Sequence, residues 1–226
     1  MLEGGLRYPS EGEKPVGTVA VGGILVFFSW LIVPGLLLAG YVLRTIQAVA
    51  AGDPHPPRFE DWWGLLADGL RVVVLSIAFA LVPMVVFIFG AIITTSGVVV
   101  GGEGGILAVA TGGIVFLVGA MILFVASYLF PGSLLLLATR NSLGAAVSPR
   151  SLRSLVFRND YVIAWLVGGA VWLVGGAIAS ALMVIVVGVF VQFYVSVAAA
   201  FILAQGLPDG DGSSGADSME AGPVAG

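Results

Sequence analysis

Four stretches of this chain, residues 16–42, 69–100, 105–139 and 161–204, contain no Asp, Glu or Lys, and Arg71 is their only charged side chain. A helix crosses the ~30 Å hydrocarbon core of a bilayer in roughly 20 residues, and every stretch exceeds that. Lipid offers the backbone no hydrogen-bond partners, so spanning segments without a β-barrel pattern must be helical. The expected fold is therefore all-α: a polytopic transmembrane helical bundle of about five spans, within a range of four to six. Composition agrees, with 59% hydrophobic and 10% charged residues, against about 25% charged in a soluble domain. The 33 glycines fit the same class, since Gly is commoner in transmembrane helices than in soluble ones. The spans use up the 226 residues and leave no room for a separate soluble enzyme.

The order along the chain predicts a polar N-terminal segment over 1–16, expected to be poorly ordered, a transmembrane domain over 17–205 and a disordered acidic tail over 206–226. The first span is expected at about 17–43 with a bend at Pro34, its end turning along the interface to Ala51. The second runs from about 65 to 93 with a kink at Pro83, and a Gly-rich loop over 96–105 follows. The third stretch is too long for one perpendicular span and is expected to break at Pro131-Gly132. Residues 140–160 read as a polar connector. The last stretch must fold into two spans, turning near 179–181. No basic, cleavable leader precedes the first span, so no removable signal peptide is expected.

Arginines give the topology. Arg44, Arg58 and Arg71 lie in the 44–71 connection and Arg140, Arg150, Arg153 and Arg158 in the 140–160 connection. The positive-inside rule makes both connections cytoplasmic in a cell membrane. With five spans the N-terminus is then outside and the tail inside.

The one compact polar segment is 52–63, where Pro54, Pro56 and Pro57 forbid helix and stiffen the path. Phe59 and Trp62 suit an interfacial anchor, and Asp61 sits where the next helix needs an N-cap. Asp68 and Arg71 lie three apart on one helix face, close enough to pair. They read either as a boundary ion pair or as a gate or solute site facing the cytoplasm. Mid-span Gln192 reads as a hydrogen-bonding group between helices. Gly112 and Gly119, like Gly168 and Gly175, recur seven apart on one face and let another helix approach. Two readings stand for them: equivalent helices of an internal repeat, or chance matches in an apolar composition.

Little chemistry is available elsewhere. Cys is absent, which excludes disulfides, Cys-ligated zinc and thiol nucleophiles. The lone His55 reads as a solvated side chain rather than a metal ligand or catalytic base. No cofactor is expected, enzyme activity is not expected, and the acidic periphery is a poor surface for nucleic acid.

Gly40-Tyr41 with Arg44, then Gly52-Asp53, then Pro57-Arg58-Phe59-Glu60-Asp61-Trp62, then Leu66 and Asp68-Gly69-Leu70 form a distinctive series. It resembles the hallmark stretch of the archaeal domain-of-unknown-function family numbered 4013. The later spans are similar in hydropathy and over 188–193. The resemblance implies a multi-pass membrane protein, a halophilic archaeal source in keeping with the acidic tail and the single Lys, and no catalytic residues. The motif residues Pro57, Phe59, Asp61, Trp62, Asp68 and Gly69 are the candidate interfacial site. Gly112, Gly119, Gly168 and Gly175 are the candidate helix-packing positions. The expected partners are the lipid bilayer and either a second copy or another membrane protein. The competing expectation is a transporter or channel subunit for a small solute or lipid, with a water-accessible cavity reaching Asp68, Arg71 or Gln192.

Overall fold

The computed structural model describes residues 2–10, 15–53, 55–183 and 186–207. The predicted acidic tail lies almost wholly outside the described residues. Described elements are helical: α1 (Leu2–Arg7), α2 (Pro15–Phe27), α3 (Ile32–Ala50), α4 (Trp62–Val100), α5 (Gly102–Arg140), α6 (Leu143–Ala146), α7 (Pro149–Val156), α8 (Asn159–Leu182) and α9 (Gly188–Ala204), with a 3₁₀ turn at Tyr8–Ser10. Helices α3, α4, α5 and α8 are long and apolar enough to cross a membrane, and α2 and α9 are shorter apolar helices.

The apolar helices form three antiparallel hairpins, α2–α3, α4–α5 and α8–α9. All three open toward one end of the bundle. There α1 packs on the last turns of α9, with Gly4 against Phe201 and Gly5 against Ile202. Tyr8 donates to the His55 carbonyl at 3.0 Å. Both ends of the described chain therefore share a side, which corrects the expectation of termini on opposite sides. The N-terminal residues expected to be poorly ordered form α1 and the 3₁₀ turn, where Tyr8 is buried.

Several boundaries differ from expectation. The first span is two helices, parted at residues 28–31 just ahead of Pro34. Pro34 then occupies the first turn of α3, where a missing N–H costs nothing. The stretch expected to turn along the interface is the continuation of α3, which buries Leu37, Gly40, Tyr41, Leu43, Thr45 and Ile46. The Gly-rich loop shrinks to Gly101, at φ +67°, a conformation Gly adopts without a Cβ penalty. Gly97 and Gly105 then meet without side chains between them, so α4 and α5 can close directly. Helix α8 runs on through 179–181 to Leu182, and the chain reverses between Leu182 and Gly188. The 140–160 connector contains α6 and α7, and α7 buries Leu152, Leu155 and Val156 while Arg150 and Arg153 face out. That amphipathic pattern suits an interface-lying helix.

Pro131 does not break α5, which runs through 39 residues. A proline removes the donor for the carbonyl four residues back; here that carbonyl belongs to Ser127. Trp165 Nε1 of α8 donates to it at 3.3 Å. One step on, the Gly132 N–H donates to the Tyr161 hydroxyl at 3.0 Å, and that hydroxyl donates to the Tyr128 carbonyl. One α8 side chain thus splices the backbone of α5 beside its proline. Tyr161 is fully buried in the larger apolar cluster, with Leu43, Ile46, Leu75 and Leu134 to Leu137. This cluster, and a second around Tyr8, Tyr41, Leu65 and Phe193, lie toward the open end of the hairpins.

Tyr161→Phe keeps the ring and deletes the splice, stranding a buried N–H and carbonyl. The expected loss is about 1–3 kcal/mol, read as a lower Tm in mild detergent. Trp165→Phe should cost less, because the bond it removes is long and partly exposed.

Candidate functional site

Arg44 is the centre of the charged end. Its Nε donates to Asp68 Oδ2 at 3.0 Å and its Nη2 to Asp61 Oδ2 at 2.9 Å. Asp68 Oδ1 also takes Arg71 Nη1 at 3.1 Å, and that same nitrogen reaches Asn141 Oδ1 at 2.8 Å. The chain of contacts links α3, the cap of α4, α4 itself and the end of α5. Asn141 can stand there because it ends α5 in the left-handed region, φ 48°, which Asn tolerates. The Asp68 side chain is 15% exposed and Arg44 20% exposed. Exposed ion pairs contribute about 0–1 kcal/mol; a carboxylate this sheltered depends more on its partners.

Local structure explains the placement. Asp61 caps α4 by accepting the Gly64 N–H at 3.0 Å, and Asp68, seven residues on, falls on the same helix face. Arg44 stands one turn from Gly40, where α3 and α4 cross. A Cβ at Gly40 would strike the Leu65 carbonyl, and one at Gly69 the Leu36 carbonyl. The two glycines make the crossing a backbone-to-backbone contact and bring Arg44 within reach of both acids. Gly64 serves the same end, since a Cβ there would collide with Asp61 and Arg44.

Aromatic rings pin the preceding loop. Phe59 stacks on Tyr41 at 4.4 Å and 14°, Trp62 lies 5.9 Å from Phe59, and Phe193 of α9 lies 5.3 Å from Tyr41. Pro56 is buried and Pro57 half-buried. His55 donates its backbone N–H to Asp53 at 2.9 Å. Among the described residues, no three His, Cys, Asp or Glu are grouped to hold a metal ion. A crevice of about 840 Å³ opens between this loop and the start of α2, reaching Thr18, Arg44, Arg58 and Asp61. Asp68, Arg71 and Gln192 are not in its lining.

The structure thus brings Pro57, Phe59, Asp61, Trp62, Asp68 and Gly69 together at one end. Gly112 and Gly119 lie elsewhere, against Thr94 and the Phe87 ring of α4. Gly175 packs on Val195 of α9, and a Cβ added at Gly168 would stand at ordinary contact distance, 3.5 Å, from the Ala199 carbonyl. One glycine pair is on the second helix of its hairpin and the other on the first, so the topology gives an internal repeat no support. Gly64, Asn141 and Phe193 carry no signal in the sequence that marks them as members of the site, because their roles depend on contacts across helices.

A family model described as "Protein of unknown function (DUF4013)" matches residues 23–184. The chain belongs to the DUF4013 family. The match takes in α3, the pinned loop and the whole charged cluster, and stops short of α9, so the stretch 188–193 lies outside it. No curated protein and no solved structure matches the chain.

For this family member, Asp61→Ala and Trp62→Ala should each lower folded yield and Tm in detergent; unchanged values would remove the anchoring role. Gly69→Ala should lower Tm far more than Gly113→Ala, whose Cβ would meet open space. The Gly64 N–H and then the Arg44 guanidinium hold the Asp61 carboxyl below its ordinary 3.8. A lowered native value means the contribution to stability is whole above the unfolded value and fades as pH falls below about 3.8. Asp61→Asn should therefore flatten the acid side of a Tm-against-pH curve and leave neutral pH slopes unchanged.

Proposed function

We propose that this protein is a non-enzymatic membrane bundle that acts by assembly with itself or with another membrane protein. The observation that carries this reading is the α4–α5 hairpin. Each helix has 39 residues, about 58 Å at 1.5 Å per residue, against a hydrocarbon core of ~30 Å. In its distal half the close approaches run between α4 and α5 themselves, as where Phe87 meets Phe116. Val98, Val99, Val100, Ile106 and Leu107 near its tip are each more than 70% exposed. A tilt of the usual ~20° does not absorb that length. An apolar surface reaching past the bilayer is the kind that associates.

Orientation follows the arginines. Every described Arg lies at the end where the hairpins open, and Glu103 is the charged residue at the α4–α5 tip. The positive-inside rule then makes that end, with the 44–71 and 140–160 connections, cytoplasmic in the cell membrane. The acidic tail and single Lys also accord with a halophilic archaeal source. A transport pathway would need a continuous water-filled route running inward from the Asp68–Arg71 end toward Gln192, and the 840 Å³ crevice is lined by Arg44 and Asp61 and by none of those three residues.

The absence of Cys makes single-cysteine tests clean. Leu107→Cys in native membranes should give an oxidative or bifunctional-reagent adduct, a dimer or a heavier complex, while Leu166→Cys on α8 should not. A chain that yields no adduct at Leu107 and stays monomeric by mass in mild detergent would overturn the assembly reading. Ser142→Cys should label only from the cytoplasmic side.

A further inference from the structure

The two short apolar helices enclose a groove that the charged site does not use. Between α2 and α9 one chamber of about 510 Å³ is walled by Val16, Val19, Ala20, Phe190 and Tyr194. A second, of about 180 Å³, continues along Ile24, Phe27 and Val189. The Phe190 ring borders both chambers. It packs close against α2 because residue 23 is Gly, where a Cβ would collide with it. The α2 residues recur every three or four positions, so the groove follows the full 13-residue helix, about 20 Å.

We infer that this groove holds one hydrocarbon chain of a bilayer lipid. Its lining is apolar side chains almost throughout, and Val16, Ile24 and Phe27 on its rim are each more than half exposed, so it opens sideways to the membrane. Its length of about 20 Å exceeds one leaflet, half of the ~30 Å core, and so admits the whole of a lipid tail. The two hollows, about 510 and 180 Å³, suit the slender cross-section of an acyl chain, whereas a helix about 10 Å across would lie over their rim rather than within them. The groove also lies where the bundle is thinnest in apolar length, beside α2 and α9. An ordered chain there completes the hydrophobic surface that two short helices leave incomplete. This site is independent of assembly, since it is built within one chain.

The test is the full chain in nanodiscs of palmitoyl-oleoyl phosphatidylglycerol, released into the gas phase for mass measurement. One phospholipid should remain per chain. Ala20→Phe, which fills the larger chamber, should reduce retention at least fivefold with Tm preserved, while Leu117→Phe on the lipid face of α5 should retain it. Should Ala20→Phe fail to fold, Val16→Trp at the exposed rim carries the same expectation. No retained lipid in the parent chain, equal retention in the filled variants, or a second protein chain in place of the lipid would each overturn the assignment.

Discussion

The backbone contact between α3 and α4 is what the rest of the polar end depends on. In lipid, helices gain little by burying apolar side chains against one another, because the tails are equally apolar. Close packing and polar contacts must supply the association. Gly40 and Gly69 remove the side chains that would hold the helices apart. Only then does Arg44, rooted in α3, reach Asp61 and Asp68 together. The acids are fixed in turn by the α4 cap and by Arg71. The glycines set the distance and the charges set the register, and neither works without the other.

The same logic explains why prolines in apolar stretches are poor guides to breakpoints. Pro131 leaves an acceptor without its donor, and from sequence the outcome is a kink or a break. The structure satisfies the backbone instead from α8, through Trp165 on Ser127 and Tyr161 across Tyr128 and Gly132. Membrane helices tolerate proline when a neighbour re-satisfies the freed groups. That neighbour is about 30 residues away in sequence, so local reading could not find it. Pro34 shows the converse: the helix boundary falls ahead of the proline, at Phe28-Ser29-Trp30-Leu31, which carries no Gly, Pro or charge to mark a loop.

Fold class and part of the polar end, the Asp61 cap and the Asp68–Arg71 pair, were legible because each rests on a local signal, whereas Gly64, Asn141 and Phe193 were not. Charge-free length gave the membrane spans. Asp61 before two tryptophans gave the cap, and the spacing of Asp68 and Arg71 gave their pairing. Parity was not legible. An uncharged, mostly apolar turn such as 28–31 looks like the middle of a span, so the pattern predicts one helix where two exist and puts the termini on opposite sides. Arg44 was visible as a motif residue, but its role required knowing that α3 and α4 cross at Gly40.

Glycine accounts for much of this architecture, yet its positions are not equivalent. At Gly40, Gly69, Gly97 and Gly112 the absent Cβ admits backbone or a polar group of another helix; at Gly22, Gly23 and Gly175 it admits a side chain, and at Gly113 and Gly169 nothing stands within 4 Å. The first group allows helix crossings and the tight hairpin, and the second seats rings of α9 against α2 and Val195 of α9 against α8. The third has no partner among the described residues. Since Gly costs a helix roughly 1 kcal/mol relative to Ala, a position of the first kind repays that cost through contacts that only Gly permits. A position of the third kind repays it only through a surface that something outside the chain can approach. Gly113 lies on the outer face of the long hairpin, among the exposed residues that the bundle itself leaves uncovered.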